Sequence, residues 1–398
     1  MKETFLIKKR IQSIDILRGL VIIVMALDHT RDYFHSDAMI FAPLDLAKTT
    51  VPLFFTRWIT HFCAPAFMFL AGTSAFLVGL RKTKKELSFF LLTRGLWLIF
   101  LELTFLNFGW TFNIHFPFFA LGVIWALGVS MIVLSFLHYL PYSVILGIGI
   151  LLVGGHNLLD SFHIPGNSFN SFIWSVLHDP TFANESNQLI IKDRAVIVDY
   201  PVLPWIGVIA LGYCFGNLYK PDMDDRTRIK KLLILGSVAI FLFILLRFLN
   251  VYGDPRPWLT QKSTVFTILS WLKVTKYPPS LQFILLTVGT GILFLAVAEK
   301  YLDIFGKAII RIGRVPMFFY LAHIYLIHTL ALFAAKFSGY NWNDMISRKP
   351  LIPVINGYGF PLAMVYLVWL IVILLLYPLC KWYDDYKSRQ KKWWLSYL

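Results

Sequence analysis

Apolar residues in this chain fall into long, nearly uninterrupted runs separated by short polar connections. Runs of about 18 or more apolar residues recur along the whole length, enough for a helix to cross a hydrocarbon core of roughly 30 Å. Ten spanning segments are expected, near 16–35, 52–80, 88–106, 117–137, 141–157, 201–219, 232–249, 281–299, 313–335 and 359–380. The second is long enough to tilt, or to begin as a surface segment. The pattern predicts an all-α fold, a polytopic transmembrane bundle making one domain over residues 1–398. Two longer connections interrupt it. Gly154–Tyr200 is rich in Gly, Asn, Pro, Asp and His and is expected to form short surface helices over a cavity, and Asn250–Ser280 is rich in Pro and Trp.

Composition agrees with the pattern. The chain is 58% hydrophobic and 15% charged, whereas a soluble domain carries about 25% charge. Trp and Tyr sit at the ends of apolar runs, as in interfacial belts. The net charge of +15 does not indicate nucleic acid, because the basic residues concentrate in short loops. Lys8, Lys9 and Arg10, then Arg81–Lys85, Lys220–Lys231, Lys300–Arg311 and Lys381–Lys392 all fall on one side when the segment count is even. By the positive-inside rule that side is the cytoplasm, with both termini there. The first apolar stretch holds Arg18, Asp28 and His29 and lacks a small-residue cleavage site, so it reads as a retained helix. Cys63, Cys214 and Cys380 lie in separate runs, so neither a disulfide framework nor a cysteine-type zinc site is expected. Gly212 and Gly216 have the small-xxx-small spacing of close helix packing.

Charged groups inside a bilayer are costly and need a partner or a role. The first segment, SIDILRGLVIIVMALDHTRDYF, is the richest. At 100° per residue Asp15, Arg18 and His29 share one stripe, with Asp28 and Asp32 on a neighbouring face. Arg18 lies at the cytoplasmic end, and His29 sits eleven residues further, roughly 16 Å at 1.5 Å per residue. Taken singly, Arg18 reads as a topology anchor and His29 as an interfacial polar residue; the shared stripe argues for more. Arg57 and His61 stand at i and i+4 in the second segment, and Glu102 is in the outer half of the third. His29, His61 and Glu102 are therefore expected at similar depth. Arg314 opens the ninth segment, with Tyr320 and His323 near mid-membrane. His328 is further out on a different face from His323, which makes the pair poor joint metal ligands, and no metal is expected. Trp205, near the start of the sixth segment, matches an interface anchor.

These motifs resemble one family. SIDILRG, ALDHTRDYF, THFCAPAFMFLAG, YPVLPWIGVIALGY and IGRVPMFFYLAHIYLIH are similar, in order along nearly the whole chain, to the heparan-alpha-glucosaminide N-acetyltransferase-like proteins in their bacterial branch. The first segment is also similar to multi-pass acyltransferases that O-acetylate bacterial surface sugars, which carry an Arg, ten residues and a His in their first helix. Arg18 and His29 meet that spacing, and the resemblance implies that His29 is catalytic. In the lysosomal heparan enzyme the active histidine follows an Asn-containing turn after the first helix; here Asp28 stands where that Asn would lie, and His35 is an alternative counterpart. The resemblance further implies a bacterial cytoplasmic membrane and acetyl-CoA as acyl donor.

The expected mechanism follows. Acetyl-CoA enters from the cytoplasm with its phosphates on Arg18 and Arg314, near Asp15. His29 acts as base or transient acyl carrier, oriented by Asp28, Asp32 or Glu102. His61 donates to the oxyanion. Arg57, Trp205, Tyr320, His323 and His328 are the candidates for binding an extracytoplasmic sugar amine or hydroxyl. The expected partners are the lipid bilayer, acyl-CoA and the glycan acceptor, with homo-oligomerisation left open. A proton-coupled transporter would use similar buried groups, but the chain has no recognisable inverted repeat. A non-catalytic scaffold would not bind CoA thioesters.

Overall fold

A computed structural model describes residues 11–38, 40–180, 189–191, 194–300, 306–346, 355–390, 392 and 395. Lys8, Lys9, Arg10 and Lys391, counted above for topology, lie outside the described residues. The helices in chain order are α1 (Gln12–Phe34), α2 (Val51–Trp58), α3 (Cys63–Gly79), α4 (Lys84–Leu101), α5 (Asn107–Thr111), α6 (Val123–Leu137), α7 (Tyr142–Gly155), α8 (Phe169–Leu177), α9 (Val202–Phe215), α10 (Asp225–Leu249), α11 (Thr264–Leu272), α12 (Leu281–Lys300), α13 (Lys307–Arg314), α14 (Pro316–Phe337) and α15 (Leu362–Arg389).

Each of the ten apolar runs contains helix, although the fourth opens as a short strand, Phe118–Leu121. Among the described residues, eight helical stretches are long and apolar enough to cross a membrane. Two further runs differ for physical reasons. Helix α1 has 23 residues but carries Asp15, Arg18, Asp28, Arg31 and Asp32. Helix α6 has 15 residues, about 22 Å at 1.5 Å per residue, which is short of a full bilayer core. The chain is an integral membrane protein.

The charge in α1 dictates its place. It is buried along most of its length and packs against α3, α12, α13, α14 and α15, because its polar groups cannot face lipid. By contrast α10 and α15 bury only 22% and 17% of their most apolar windows and present Leu, Ile and Phe side chains outward.

Two local departures from α-helix position the site. The second run is broken by a 3₁₀ turn, Ile59–Phe62, between α2 and α3. Pro65, in the first turn of α3, has no N–H for the His61 carbonyl, so the α ladder cannot run through this point. The third run is interrupted by a π-helical turn, Glu102–Leu106, between α4 and α5. Elsewhere the sequence supplies its own stops. Thr83 and Glu86 form a capping box at the start of α4, Asp224 caps α10, and Asn250 ends α10 at φ 56°.

A small sheet departs from the all-helical expectation. Strands β1 (Phe118–Leu121), β2 (Leu189–Ile191) and β3 (Arg194–Val198) run in the order β1-β3-β2, with β1 parallel to β3 and β2 antiparallel to it. Strands β2 and β3 come from the long connection that also holds α8, and β1 precedes α6. Gly212 does serve close packing: a Cβ there would stand 2.1 Å from the Phe69 carbonyl oxygen, so α3 and α9 touch backbone to backbone.

Candidate active site

Helices α1, α3, α6 and α14, with the loops beside them, enclose a cavity of about 1350 Å³ that reaches from one end of the bundle deep into it. Its mouth is strongly basic: Arg18, Arg81, Lys82, Lys220, Arg228, Arg314 and Lys387 line it, against Asp15, Asp225 and Glu299. Arg94 lies further in, and the inner wall holds Asp28, His29, Cys63, Tyr200, Lys276 and Tyr320. Of the residues expected from sequence, Asp15, Arg18, Asp28, His29, Arg314 and Tyr320 share this space.

At the mouth, Asp15 holds two guanidinium groups. Its Oδ1 lies 3.5 Å from Arg18 Nη1 and its Oδ2 lies 3.8 Å from Arg314 Nε. Arg18 also donates to Ser74 Oγ and to the Leu70 carbonyl at 3.4 Å. Arg314 pairs with Asp384 at 3.5 Å. The clasp depends on a close crossing of α1 and α13. A Cβ on Gly313 would fall 1.8 Å from the Asp15 carbonyl oxygen, and one on Gly19 would fall 2.2 Å from that of Ile309. Only glycine permits this approach, and it brings Arg314 to Asp15.

Deeper in, His29 Nδ1 lies 2.7 Å from Nε2 of His323, and the two rings stack with centroids 5.0 Å apart. His323 Nδ1 stands 2.9 Å from the Phe319 carbonyl oxygen. A carbonyl only accepts, so Nδ1 of His323 carries the hydrogen and, in the neutral ring, Nε2 accepts. His29 Nδ1–H must then be the donor, which leaves His29 Nε2 as the free basic nitrogen. Beyond the pair, the Trp110 ring meets His29 edge-on at 4.7 Å and stacks on Tyr33 at 6.0 Å, while Tyr33 Oη donates to the Trp110 carbonyl at 2.6 Å.

Several expected roles are corrected by this geometry. None of the three carboxylates proposed to orient His29 does so. Asp28 pairs with Arg31 at 2.8 Å and with Arg57, and Asp32 pairs with Arg31. This four-membered charge cluster ties α1 to α2, which is the role of Arg57; Arg57 is absent from the cavity wall. Glu102 Oε2 accepts from the backbone N–H groups of Ile124 and Trp125 at 2.9 and 3.0 Å. Its carboxyl oxygen satisfies two of the orphan N–H groups at the N-terminus of α6. His61 is 1% exposed and packs against Phe283 at 5.3 Å, outside the cavity wall. Trp205 is fully buried beside Tyr200 and anchors no interface. His328 has carbonyl oxygens of Gly109 and Met345 at 2.8 and 2.9 Å and stacks on Phe112, so it joins α14 to its neighbours. His35, beyond α1, accepts from the Asp37 N–H at 3.2 Å and stays outside the cavity wall.

Sequence reasoning passed over Lys276, Tyr200 and Trp110. Lys276 reaches the inner wall from the loop before α12, with Nζ 5.1 Å from the Tyr277 ring centroid and 5.9 Å from that of Tyr200. A buried guanidinium shapes this loop. Arg247 is 1% exposed and donates to the carbonyls of Trp271 (2.8 Å), Ser270 (3.0 Å), Lys273 and Arg256, and to Gln282. Asp254 then fastens the loop's far arm through the backbone and hydroxyl of Thr275 and through Ser280. The available signal was Lys276-Tyr-Pro-Pro, a cation and an aromatic held by two prolines just before a spanning helix. Beside Tyr200, burial pushes the Asp199 carboxyl up to about 7.

The site is thus a basic-mouthed cavity in a membrane-embedded helical bundle, with His29 in its inner wall and His323 bonded behind it. The chain belongs to the heparan-alpha-glucosaminide N-acetyltransferase catalytic family, whose match covers residues 10–252. That is a family of acetyltransferases, and the matched region contains Arg18, His29 and Glu102. Among curated proteins, none matches the chain.

Proposed function

We propose that this protein transfers an acetyl group from acetyl-CoA, entering at the basic end of the bundle, to an amine or hydroxyl of a sugar presented from the opposite side. The observation that carries this reading is the continuity of one cavity from the Arg18–Arg314 mouth to His29. By the positive-inside rule the basic end faces the cytoplasm. Phosphates of CoA meet guanidinium and ammonium groups there, and the roughly 16 Å from Arg18 to His29 along α1 matches the reach of a pantetheine arm.

At the inner end His29 Nε2 takes the proton from the acceptor amine or hydroxyl as its N or O attacks the thioester carbonyl. The tetrahedral intermediate collapses with cleavage of the C–S bond, and the His29 proton passes to the departing sulfur. His323 accepts from His29 Nδ1–H throughout. It holds the tautomer and supports the transient imidazolium, the part a carboxylate takes in a hydrolase triad. Lys276 and Tyr320 are the donors in the same wall that can meet the oxyanion. Full-length protein in detergent, given acetyl-CoA and a glucosamine-type acceptor, should release CoA; His29→Ala should lower the rate about 10²–10⁴-fold, the usual worth of general acid–base catalysis. Undiminished turnover in a folded His29→Ala protein would remove the assignment.

A further inference from the structure

A second cluster of chemically competent side chains lies away from the cavity. His156 opens a 3₁₀ turn, His156–Leu159, at the end of α7; Asp160 follows it, and His178 closes α8. One ligand atom from each lies within 4.8 Å of the others. His178 Nε2 is 3.0 Å from Asp160 Oδ1, and Asp160 Oδ2 accepts from Asn157 Nδ2 at 2.8 Å. His156 is 3% exposed, and among the described residues neither of its ring nitrogens has a hydrogen-bond partner. A buried imidazole with nothing to bond is costly and calls for an explanation. Its ring stands 5.5 Å from that of His178, edge to face.

We propose that His156, Asp160 and His178 form a zinc site that fastens the α8 segment to the end of α7. Two imidazoles and a carboxylate are a zinc donor set, with a fourth position for water. Zinc bonds of 2.0–2.2 Å place tetrahedral ligand atoms roughly 3.4 Å apart. The His178–Asp160 edge is already shorter than this, so a ring movement of His156 on the order of 1 Å closes the set. Asn157 supplies the outer hydrogen bond that orients the carboxylate, and its Oδ1 accepts from the Leu281 N–H at 2.9 Å. None of the three ligands lines the cavity, so the site is structural. Near it, Tyr252 Oη bonds the Gly154 carbonyl, and the ion would tie the end of α7 to the residue that closes α8.

The test uses the full chain in detergent, stripped with a chelator and then titrated with zinc chloride or cobalt chloride. Wild type should take up one zinc per chain, gain thermal stability on doing so, and show the visible absorption bands of a four-coordinate cobalt(II) ion. His156→Ala leaves the His178–Asp160 bond intact and should weaken zinc binding about 100-fold or more; Asp160→Asn should do the same. A wild-type protein that stays metal-free at micromolar zinc and shows no cobalt spectrum overturns the proposal. Stoichiometric zinc retained by His156→Ala overturns it equally. The readouts are metal content and melting temperature, so they stand or fall apart from acetyl transfer.

Discussion

Replacing His323 with leucine tests the histidine pair directly. The side chain is fully buried and lies against Phe319 and Tyr320, so leucine keeps an apolar filling of the site while removing the acceptor nitrogen and the Nδ1–H bond to the Phe319 carbonyl. In wild type the bond from His29 Nδ1–H to His323 spans 2.7 Å, and it strengthens when His29 becomes an imidazolium in the transition state. A hydrogen bond to a charged group is worth about 1.5–3 kcal/mol. At 1.36 kcal/mol per tenfold, kcat should fall roughly 10- to 150-fold, a smaller loss than for His29→Ala. The KM for acetyl-CoA should not move, because the proposed phosphate site lies at the other end of the cavity, and a loss confined to kcat is the mark of an interaction made in the transition state. CoA release can be followed with a thiol reagent, with melting temperature measured in parallel. A folded His323→Leu protein with wild-type kcat would refute the relay, and an effect on KM alone would assign His323 to binding.

Three further outcomes follow from the geometry. Arg314→Gln should raise the KM for acetyl-CoA about tenfold with little change in kcat, the signature of binding used equally in ground and transition states; initial-rate kinetics check it. Glu102→Leu removes the acceptor that serves two N–H groups of α6 and should cost about 2 kcal/mol of stability, read as a lower melting temperature with His29 chemistry retained. Asp199→Asn should stabilise the protein at pH 8 more than at pH 5. Burial raises its folded-state carboxyl to about 7, so the native state loses stability as pH climbs from the ordinary carboxylate range to about 7. At 1.36 kcal/mol per unit the whole penalty is roughly 4 kcal/mol, and equal melting shifts at both pH values would contradict it.

The spanning segments were legible because lipid enforces a simple rule: only a continuous apolar helix can cross without exposed backbone. The α1 stripe was legible for the same reason, since Asp15, Arg18 and His29 could not face hydrocarbon. What periodicity could not supply was the rotation and register of one helix against another. His29 and His323 are 294 residues apart, and no spacing rule joins them. Glu102 is expected at the depth of His29, but the π-helical turn it opens and the nearby start of α6 give its carboxyl group another task. Arg57 seemed free to bind substrate because its partner, Asp28, is on another helix. Trp205 reads as an interface residue from its place at a helix start, yet the packing around Tyr200 encloses it. Gly212 was readable as a packing residue because small-xxx-small spacing has one dominant physical cause.

The aromatic cover over His29 has a consequence for the membrane as an insulator. A water-filled passage that penetrates most of the bilayer brings hydronium close to the far surface, and a membrane that stores energy as a proton gradient cannot tolerate a continuous wet column. Here His29 meets the Trp110 ring edge-on at 4.7 Å, and Tyr33 stacks on that ring. In the mechanism proposed above, an opening that admits an acceptor from the far side would displace these rings, so CoA bound from below would have to close the passage first. Leakage would then be prevented by the order in which substrates arrive, with the donor itself serving as the cork.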